Sequence, residues 1–523
     1  MLDMDSEKAQ NDIIWKACKP TKAVEKKGNI ILTIPFQAQK RESMEPDTSL
    51  PRQEYELLIR AYEKNIVRTT ISYKGKFPKD KDNVMLEWDP SLEKNNLELR
   101  IIENGWKIYD ETETLKMKID LGEKPVKKWS DQIQSPFEEF SSTIYPDKEV
   151  AVPFMDHDHF TPDNVESISL GFVEREQDPH RCMYSLYAQP QEKFAGTGER
   201  FSRMDLSGET FILENTDAYG VNSRRAYKNI PFYVSNRPYG LLNLTSAHVK
   251  LSLADISTRA AQGLIEDNKM DLFFIGGGSI EKIIYNYRRV TGFPRKVPLW
   301  SYGIWMSRMT YFSAAETKEV AQKLREKEFP CDVIHLDTGW FKKDWKCEWE
   351  FNRDRFPDPE KYMQEMKEKG FRISLWQLPS VGKDTKHFST AKNNRYIPPV
   401  KGNSGSTSNL GKEDYAGDID FTNPEAVEWY QSLLKRLLEM GAAAIKTDFG
   451  EDIDMAADYH QMPAKLLHNL YALLYQKAAF EITDEIKEEA LIWARAGWIG
   501  SQRYPVHWGG DSACTWDGLA GSI

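Results

Sequence analysis

The stretch GAAAIKTDFGED, residues 441–452, runs from apolar residues into Lys446, Asp448, Glu451 and Asp452. A buried strand surfacing into a polar loop would read the same way, so its meaning rests on what else ends like it. HLDTGW places Asp337 and Trp340 after an apolar run, and SLWQ ends in Trp376 and Gln377. LIWAR ends at Arg495, and PVHWGGD carries His507, Trp508 and Asp511. One Asp after a strand is noise, whereas Asp337, Asp448 and Asp511 with Lys, Arg and Trp between them form a constellation. Paired carboxylates suit cleavage of a glycosidic bond: one attacks or stabilises the cationic anomeric carbon and another protonates the leaving oxygen. Lys446 and Asp448, two apart on a strand, face the same side. The cation would keep Asp448 ionised, as a nucleophile requires. Asp511 follows two glycines, which allow close approach to a ligand, and an acid role there requires a raised pKa.

These residues need elements that bring strand ends together. After Pro298 the sequence alternates helix, Gly, apolar strand and polar loop. SAAETKEVAQKLREKEF opens with a capping box from Ser313 to Glu316 and carries Val320 and Leu324 on one face. DPEKYMQEMKEKG has Asp358 as N-cap, Pro359 at the first helical position and Gly370 at the end. NPEAVEWYQSLLKRLLEMG repeats the device with Asn423, Pro424 and Gly441, and puts Val427, Tyr430, Leu434 and Leu437 on one stripe. A further helical stretch is expected over 460–480. Strands are expected at YGIWMS, CDVIHLD, FRISLWQ, AAAIKTDF, ALIWARA and YPVHWGGD. This is the grammar of a parallel β/α protein, in which sites form at the carboxyl ends of the strands. A doubly wound sheet fits six strands, and a (β/α)8 barrel fits if the chain stops two units short.

From about residue 28 to 285 the signals are mostly β. NIILTIPF, NLELRIIENGWKIYDE, LKMKIDL, SISLGFV, CMYSLYA and HVKLSLAD are short, partly alternating runs between Pro, Gly, Asn and Asp clusters, the pattern of a β-sandwich. SDQIQSPFEEFSSTIYPDKE reads as a long loop or a decorated connection. DHDH at 156–159 has metal-ligand residue types but no second ligand cluster nearby, and solvated loop residues are the better reading. IGGGS at 275–279, ahead of the helical stretch IEKIIYNYRRVTG, lacks phosphate-loop spacing and reads as a hairpin end rather than a phosphate cradle. The expected organisation is therefore multidomain, β plus α/β: a β-sandwich over 1–285 and a parallel β/α catalytic domain over 286–523.

The bulk properties exclude other classes. A chain of 523 residues exceeds one hydrophobic core. The formal net charge of -10, with basic residues scattered among acids, disfavours nucleic-acid partners. Five widely spaced cysteines without a CxxC disfavour a disulfide framework or zinc site and fit a reducing cytosol. The N-terminus shows no signal-peptide pattern, and no apolar window is long enough for a membrane helix, so a cytoplasmic protein without a membrane partner is expected. The Asn243-Leu-Thr245 sequon then carries no meaning. A homo-oligomer stays open.

IKTDFGED and ARAGWIGSQRYPVHWGGD resemble the two catalytic regions of glycoside hydrolase family 31, within it most like bacterial α-xylosidases. The likeness continues through GTGERF (196–201), YKNIPFY (227–233), PLWSYGIW (298–305), HLDTGWF (335–341), CEWEFNRDRFPDPE (347–360) and DFTNPEAVEWY (420–430). It covers roughly residues 95 to 523. The resemblance implies a galactose-mutarotase-like β-sandwich before a (β/α)8 TIM barrel, and a retaining, exo-acting mechanism without cofactor or metal. The substrate would be an α-linked saccharide, with terminal α-linked xylose released. By motif, Asp448 would be the nucleophile and Asp511 the acid/base. Asp337, Lys446 and Arg495 would hold sugar hydroxyls, Trp340, Trp376 and Trp508 would belong to the sugar pocket, and Asp217 would reach in from a sandwich loop. The sequence departs from the α-xylosidase pattern in two places. Thr338-Gly339 stands where a Cys-Phe pair follows the strand-two Asp, and Thr310 stands near a position usually aromatic, with Tyr311 beside it. Smaller side chains there leave room for a C6 hydroxymethyl, which Trp498 could refill. An α-glucosidase or α-transglycosylase of the same family is therefore the alternative. The family's barrel has two further strands, so with an end at Ile523 the barrel is expected to be truncated after the sixth. Two other classes compete: a non-catalytic sugar-binding fragment, and a Schiff-base lyase using Lys446, which the nearby Asp448 opposes by holding the amine protonated.

Overall fold

The computed structural model describes residues 12–40, 46–122, 138–155, 168–401 and 415–523. The 156–159 cluster lies outside the described residues. The chain divides into two compact units: one of Met1–Gly198, Ser202–Glu214 and Ile230–Gly292, the other of Glu199–Phe201, Asn215–Asn229 and Phe293–Ile523.

The first unit is built of β-sheet. Asn29–Ala38 shows how its pattern works: Ile30, Leu32, Ile34 and Phe36 alternate inward and are fully buried. It pairs antiparallel with Gln53–Tyr62, which pairs with Ile66–Ser72, within a fifteen-stranded sheet. A second, five-stranded antiparallel meander runs through Leu97–Ile102, Gly105–Asp110, Leu115–Asp120, Ser141–Asp147 and Val150–Pro153. Ser141–Asp147 corrects the expected long loop, because its outward polar residues mask the buried Ser141, Ile144 and Pro146. The glycines 276–278 form a strand-to-helix turn, not a hairpin end: Lys269–Ile275 leads through them into the helix Ile280–Thr291, capped by Ser279. Arg289 on that helix pairs with Glu63 and Asp89 of the same unit. The unit therefore ends at Gly292, after the helix that a boundary at 285 would cut.

The second unit carries a parallel sheet of five strands: β1 (Trp305–Met306), β2 (Val333–Leu336), β3 (Arg372–Gln377), β4 (Ala444–Thr447) and β5 (Ile492–Ala494). Helices α1 (Ala314–Glu326), α2 (Pro359–Glu368), α3 (Pro424–Met440) and α4 (Ala464–Ile486) connect them. The caps form as the sequence dictates: Ser313, Asp358 and Asn423 accept backbone N–H groups at the starts of α1, α2 and α3. Gly370 and Gly441 take positive φ after α2 and α3. The apolar faces sit slightly off the expected stripes: α1 buries Ala314, Thr317 and Ala321, with Val320 and Leu324 half-buried, and α3 buries Leu433 and Leu438 in addition to Tyr430, Leu434 and Leu437. α4 runs to Ile486, longer than the expected 460–480 stretch.

The expected sixth strand is a correction. Residues 505–508 run beside β5 and exchange ladder hydrogen bonds with Ile492 and Ala494, yet only the Ala494–His507 bridge forms. Pro505 supplies no N–H and Gly509-Gly510 ends the run. A two-stranded antiparallel sheet of Ser380–Gly382 and Tyr415–Asp418, inserted between β3 and α3, had no sequence signal. Among the described residues, no helix is long and apolar enough to cross a membrane.

Candidate active site

Parallel pairing places His335 opposite Ser374, and Trp376 opposite Lys446 opposite Trp493. Side chains alternate along a strand, so His335 and Asp337, Ser374 and Trp376, Lys446 and Asp448, Trp493 and Arg495 all project from one face. The opposite face holds residues such as Gln377, which bonds Tyr430 of α3 and Tyr475 of α4 and serves helix packing instead.

Asp448 is the hub. Trp376 Nε1 donates to its Oδ2 at 2.6 Å, and Lys446 Nζ lies 3.2 Å from the same oxygen. The Phe449 N–H donates to Oδ1 at 2.9 Å, and Arg495 Nε lies 3.4 Å from it. Phe449 and Gly450 adopt positive φ, which turns the chain sharply after the carboxylate. Burial works to raise the Asp448 pKa, but Lys446, Arg495, the Trp376 indole and the Phe449 N–H outweigh it and lower it from 3.8 to about 2. Burial opposes the Lys446 cation, yet Asp448 and Asp337 raise its pKa, so the amine stays protonated and ill suited to imine chemistry.

Arg495, only 2% exposed, joins the two carboxylates. Its Nη1 donates to Asp511 Oδ2 at 2.8 Å, while Nε faces Asp448 and Nη2 pairs with Glu451. The rings of Phe449 and Tyr227 lie 4.0 and 4.8 Å from the guanidinium carbon. Asp511 differs from Asp448 in being 45% exposed at its side chain. Desolvation raises its pKa, the charges of Asp448 and Asp217 add to this, and Arg495 and Lys446 oppose it. Gly510 reaches Asp511 with φ +88°, and a Cβ there would lie 2.2 Å from the Tyr227 ring. Lys228 ties the approach together: its Nζ donates to the carbonyls of Arg495 and Trp508 and pairs with Glu199.

Of the remaining sequence-predicted residues, Asp337 takes an N–H from Thr338 on Oδ1, and His335 Nε2 and Lys446 Nζ lie 2.9 and 3.4 Å from Oδ2. Trp508 and Trp493 flank Lys446, whose Nζ sits 4.6 and 4.9 Å from their ring centres. Asp217 accepts the Tyr219 N–H, and Gly220 beside it bonds the Asp511 carbonyl. Trp340 stands apart: it is wholly buried, packs on Phe341 and Phe351, and its indole donates to the Trp376 carbonyl. It braces Trp376 from behind and has no face left for a sugar. Trp498 is likewise wholly buried, so it does not refill pocket space. Thr310 Oγ1 accepts the Gly339 N–H at 2.6 Å, which couples the two positions that depart from the α-xylosidase pattern. His507 is not part of the cluster. Burial lowers its pKa to about 3 and its Nε2 faces Gln476.

Sequence reading makes Glu451 a rim or supporting charge, and the structure selects the second: its side chain is 1% exposed and pairs with Arg495. Sequence reading passed over His335, Ser374 and Trp493, although a signal was there: each lies two residues before a chosen residue on the same strand, the spacing that singled out Lys446. Tyr227 and Lys228 carry no such periodic signal.

Two family models match the chain. Residues 294–523 match the glycosyl hydrolases family 31 TIM-barrel domain, and residues 56–251 match the glycosyl hydrolase 31 N-terminal galactose mutarotase-like domain. The chain is 37% identical over 341 residues to an alpha-xylosidase of Emericella nidulans, covering 64% of this chain and 43% of that protein. It is 32% identical over 314 residues to alpha-xylosidase XylQ of Lactiplantibacillus pentosus, covering 58% and 41%. It thus spans less than half the length of either. Its fold resembles that of a cycloalternan-forming enzyme from Listeria monocytogenes, with a TM-score of 0.79 at 19% identity, over 98% of this chain and 47% of that one.

Proposed function

Because this chain belongs to glycoside hydrolase family 31, we propose that Asp448 and Asp511 carry out retaining hydrolysis of terminal α-linked xylose by double displacement. The observation that carries this reading is the opposite tuning of two carboxyls by one guanidinium's surroundings: Asp448 is held at about 2 and Asp511 is raised. In the first step an Asp448 oxygen bonds to the anomeric carbon as the glycosidic C–O bond breaks, and the leaving oxygen takes the Asp511 proton. In the second, Asp511 removes a proton from water, whose oxygen displaces Asp448 and restores the α configuration. Asp337, Lys446 and Arg495 hold sugar hydroxyls, with Trp508 as the partly exposed aromatic beside them and Asp217 at the rim.

The α-glucosidase or α-transglycosylase reading has its own observation. Thr310 Oγ1 accepts the Gly339 N–H and fills the place a Cβ there would take, so two small residues stand together where the α-xylosidase pattern has bulkier ones, and a hydroxymethyl group is worth about 1–3 kcal/mol of discrimination. Comparing p-nitrophenyl α-xyloside with the α-glucoside decides between them: xyloside preference is expected, and glucoside preference overturns the substrate. Proton NMR of the first-formed sugar should show the α anomer, whereas a β anomer defeats the retaining mechanism. Asp448→Ala should lose turnover by about 10³-fold or more, and ordinary turnover in that variant would remove Asp448 from the chemistry.

A further inference from the structure

We propose that His335 is a positioning residue for the reaction: as a neutral imidazole locked in one tautomer by Ser374 and Trp493, it fixes Asp337 and thereby frees Lys446 to serve Asp448. This rests on the reading of Asp337 and Asp448 given above.

The lock follows from hydrogen-bond chemistry. An indole N–H can only donate, so Ser374 Oγ accepts from Trp493 Nε1, at 2.8 Å. The serine's own proton is then available to His335 Nδ1, 3.1 Å away. A ring nitrogen that accepts carries no proton, so the imidazole proton resides on Nε2, 2.9 Å from Asp337 Oδ2. The reverse tautomer would set the Nε2 lone pair against a carboxylate oxygen. The imidazolium form is disfavoured as well: burial lowers the His335 pKa and Lys446 lowers it further, against the opposing pull of Asp337 and Asp448. The ring meets the uncharged Ser374 of β3, and the Trp493 ring of β5 closes over it edge-on, with centroids 4.7 Å apart.

Lys446 is shared. Its Nζ lies 3.4 Å from Asp337 Oδ2 and 3.2 Å from Asp448 Oδ2. With a full donor from His335 on Asp337, the ammonium need not neutralise that anion alone. Without it, Asp337 draws Lys446 away, loses its orientation toward the sugar and leaves Asp448 less strongly held as an anion.

The test uses the full chain labelled with 15N-histidine, the His335 signals being assigned by their loss in His335→Gln. At pH 7 the ring should show the neutral Nε2–H pattern, while Ser374→Ala should give mixed tautomers. An imidazolium or an Nδ1–H ring at pH 7 overturns the proposal. In turnover of p-nitrophenyl α-glycosides, His335→Phe should lower kcat/KM by about 10²-fold and move the acid limb of the pH profile upward. His335→Gln, which keeps an N–H donor toward Asp337, should stay within about tenfold of the parent. A His335→Phe protein with unchanged kcat/KM and pH profile also overturns it. If His335→Phe does not fold, as judged by circular dichroism, Ser374→Ala and His335→Gln still decide. The NMR arm needs no substrate, so it stands apart from any failure of the glycosidase reading.

Discussion

At the residue scale, Asp448 and Asp511 touch the same guanidinium, yet their burial and partners differ enough to separate their protonation. In the proposed mechanism turnover requires Asp448 ionised and Asp511 protonated. Asp448, lowered to about 2, stays ionised throughout the range above that value, so it sets only a very acidic limb. Asp511, raised by desolvation, protonates more readily than an ordinary Asp, and kcat/KM should fall as pH rises through its value. Asp511→Asn should abolish that alkaline limb and slow poor leaving groups far more than p-nitrophenolate, as measured by pH–rate profiles on both substrate types. A stability effect runs the other way along the pH axis. Because the folded pKa of Asp448 lies below its ordinary 3.8, its contribution is present above that value and lost as pH falls toward about 2.

At the scale of elements, the strand tips are held by turns and caps that the chemistry never touches. Gly510 combines a left-handed backbone with contact against Tyr227. Gly510→Ala should displace Asp511 and lower kcat by about 10²-fold, with the far-UV circular dichroism unchanged. A loss confined to KM would show that Asp511 had not moved. Asn423 caps α3 through the Glu425 N–H and also donates to the Arg395 carbonyl. Asn423→Ala should cost about 1–2 kcal/mol, read as a lower urea midpoint at unchanged slope. Because α3 leads through Gly441 into β4, that loss measures how firmly the helix anchors the strand bearing Lys446.

At the scale of the whole molecule, the net charge of -10 is spread through both halves of the sequence without a basic cluster. The chain should therefore show no retention of duplex DNA in a gel shift at about 0.15 M salt, where the Debye length is about 8 Å. Salt-dependent binding there would reveal a basic surface that the average charge conceals. The five cysteines are all free, four of them buried and Cys514 exposed, so no disulfide contributes to the stability of either unit. The chain spans less than half the length of the Emericella nidulans and Lactiplantibacillus pentosus α-xylosidases it matches.

The sequence by itself determined the starts of α1, α2 and α3, because their caps are local, and the strand ends, because a buried apolar run followed by Asp, Lys or Arg is a local signal. It also determined the gathering of Asp337, Lys446, Asp448, Arg495 and Asp511, since parallel strands share one carboxyl end and period two fixes the side. What only the tertiary structure decided is how each side chain is used. Trp340 and Trp376 look alike in sequence, yet one braces from behind and the other donates to Asp448, because that depends on depth behind the strand tips. Glu451 became the buried partner of Arg495, and His335 the partner of Asp337, through contacts between strands far apart in the chain. Opposite pKa shifts in Asp448 and Asp511 likewise come from how many donors and how much water reach each carboxyl, and residue order encodes neither until the strands are side by side.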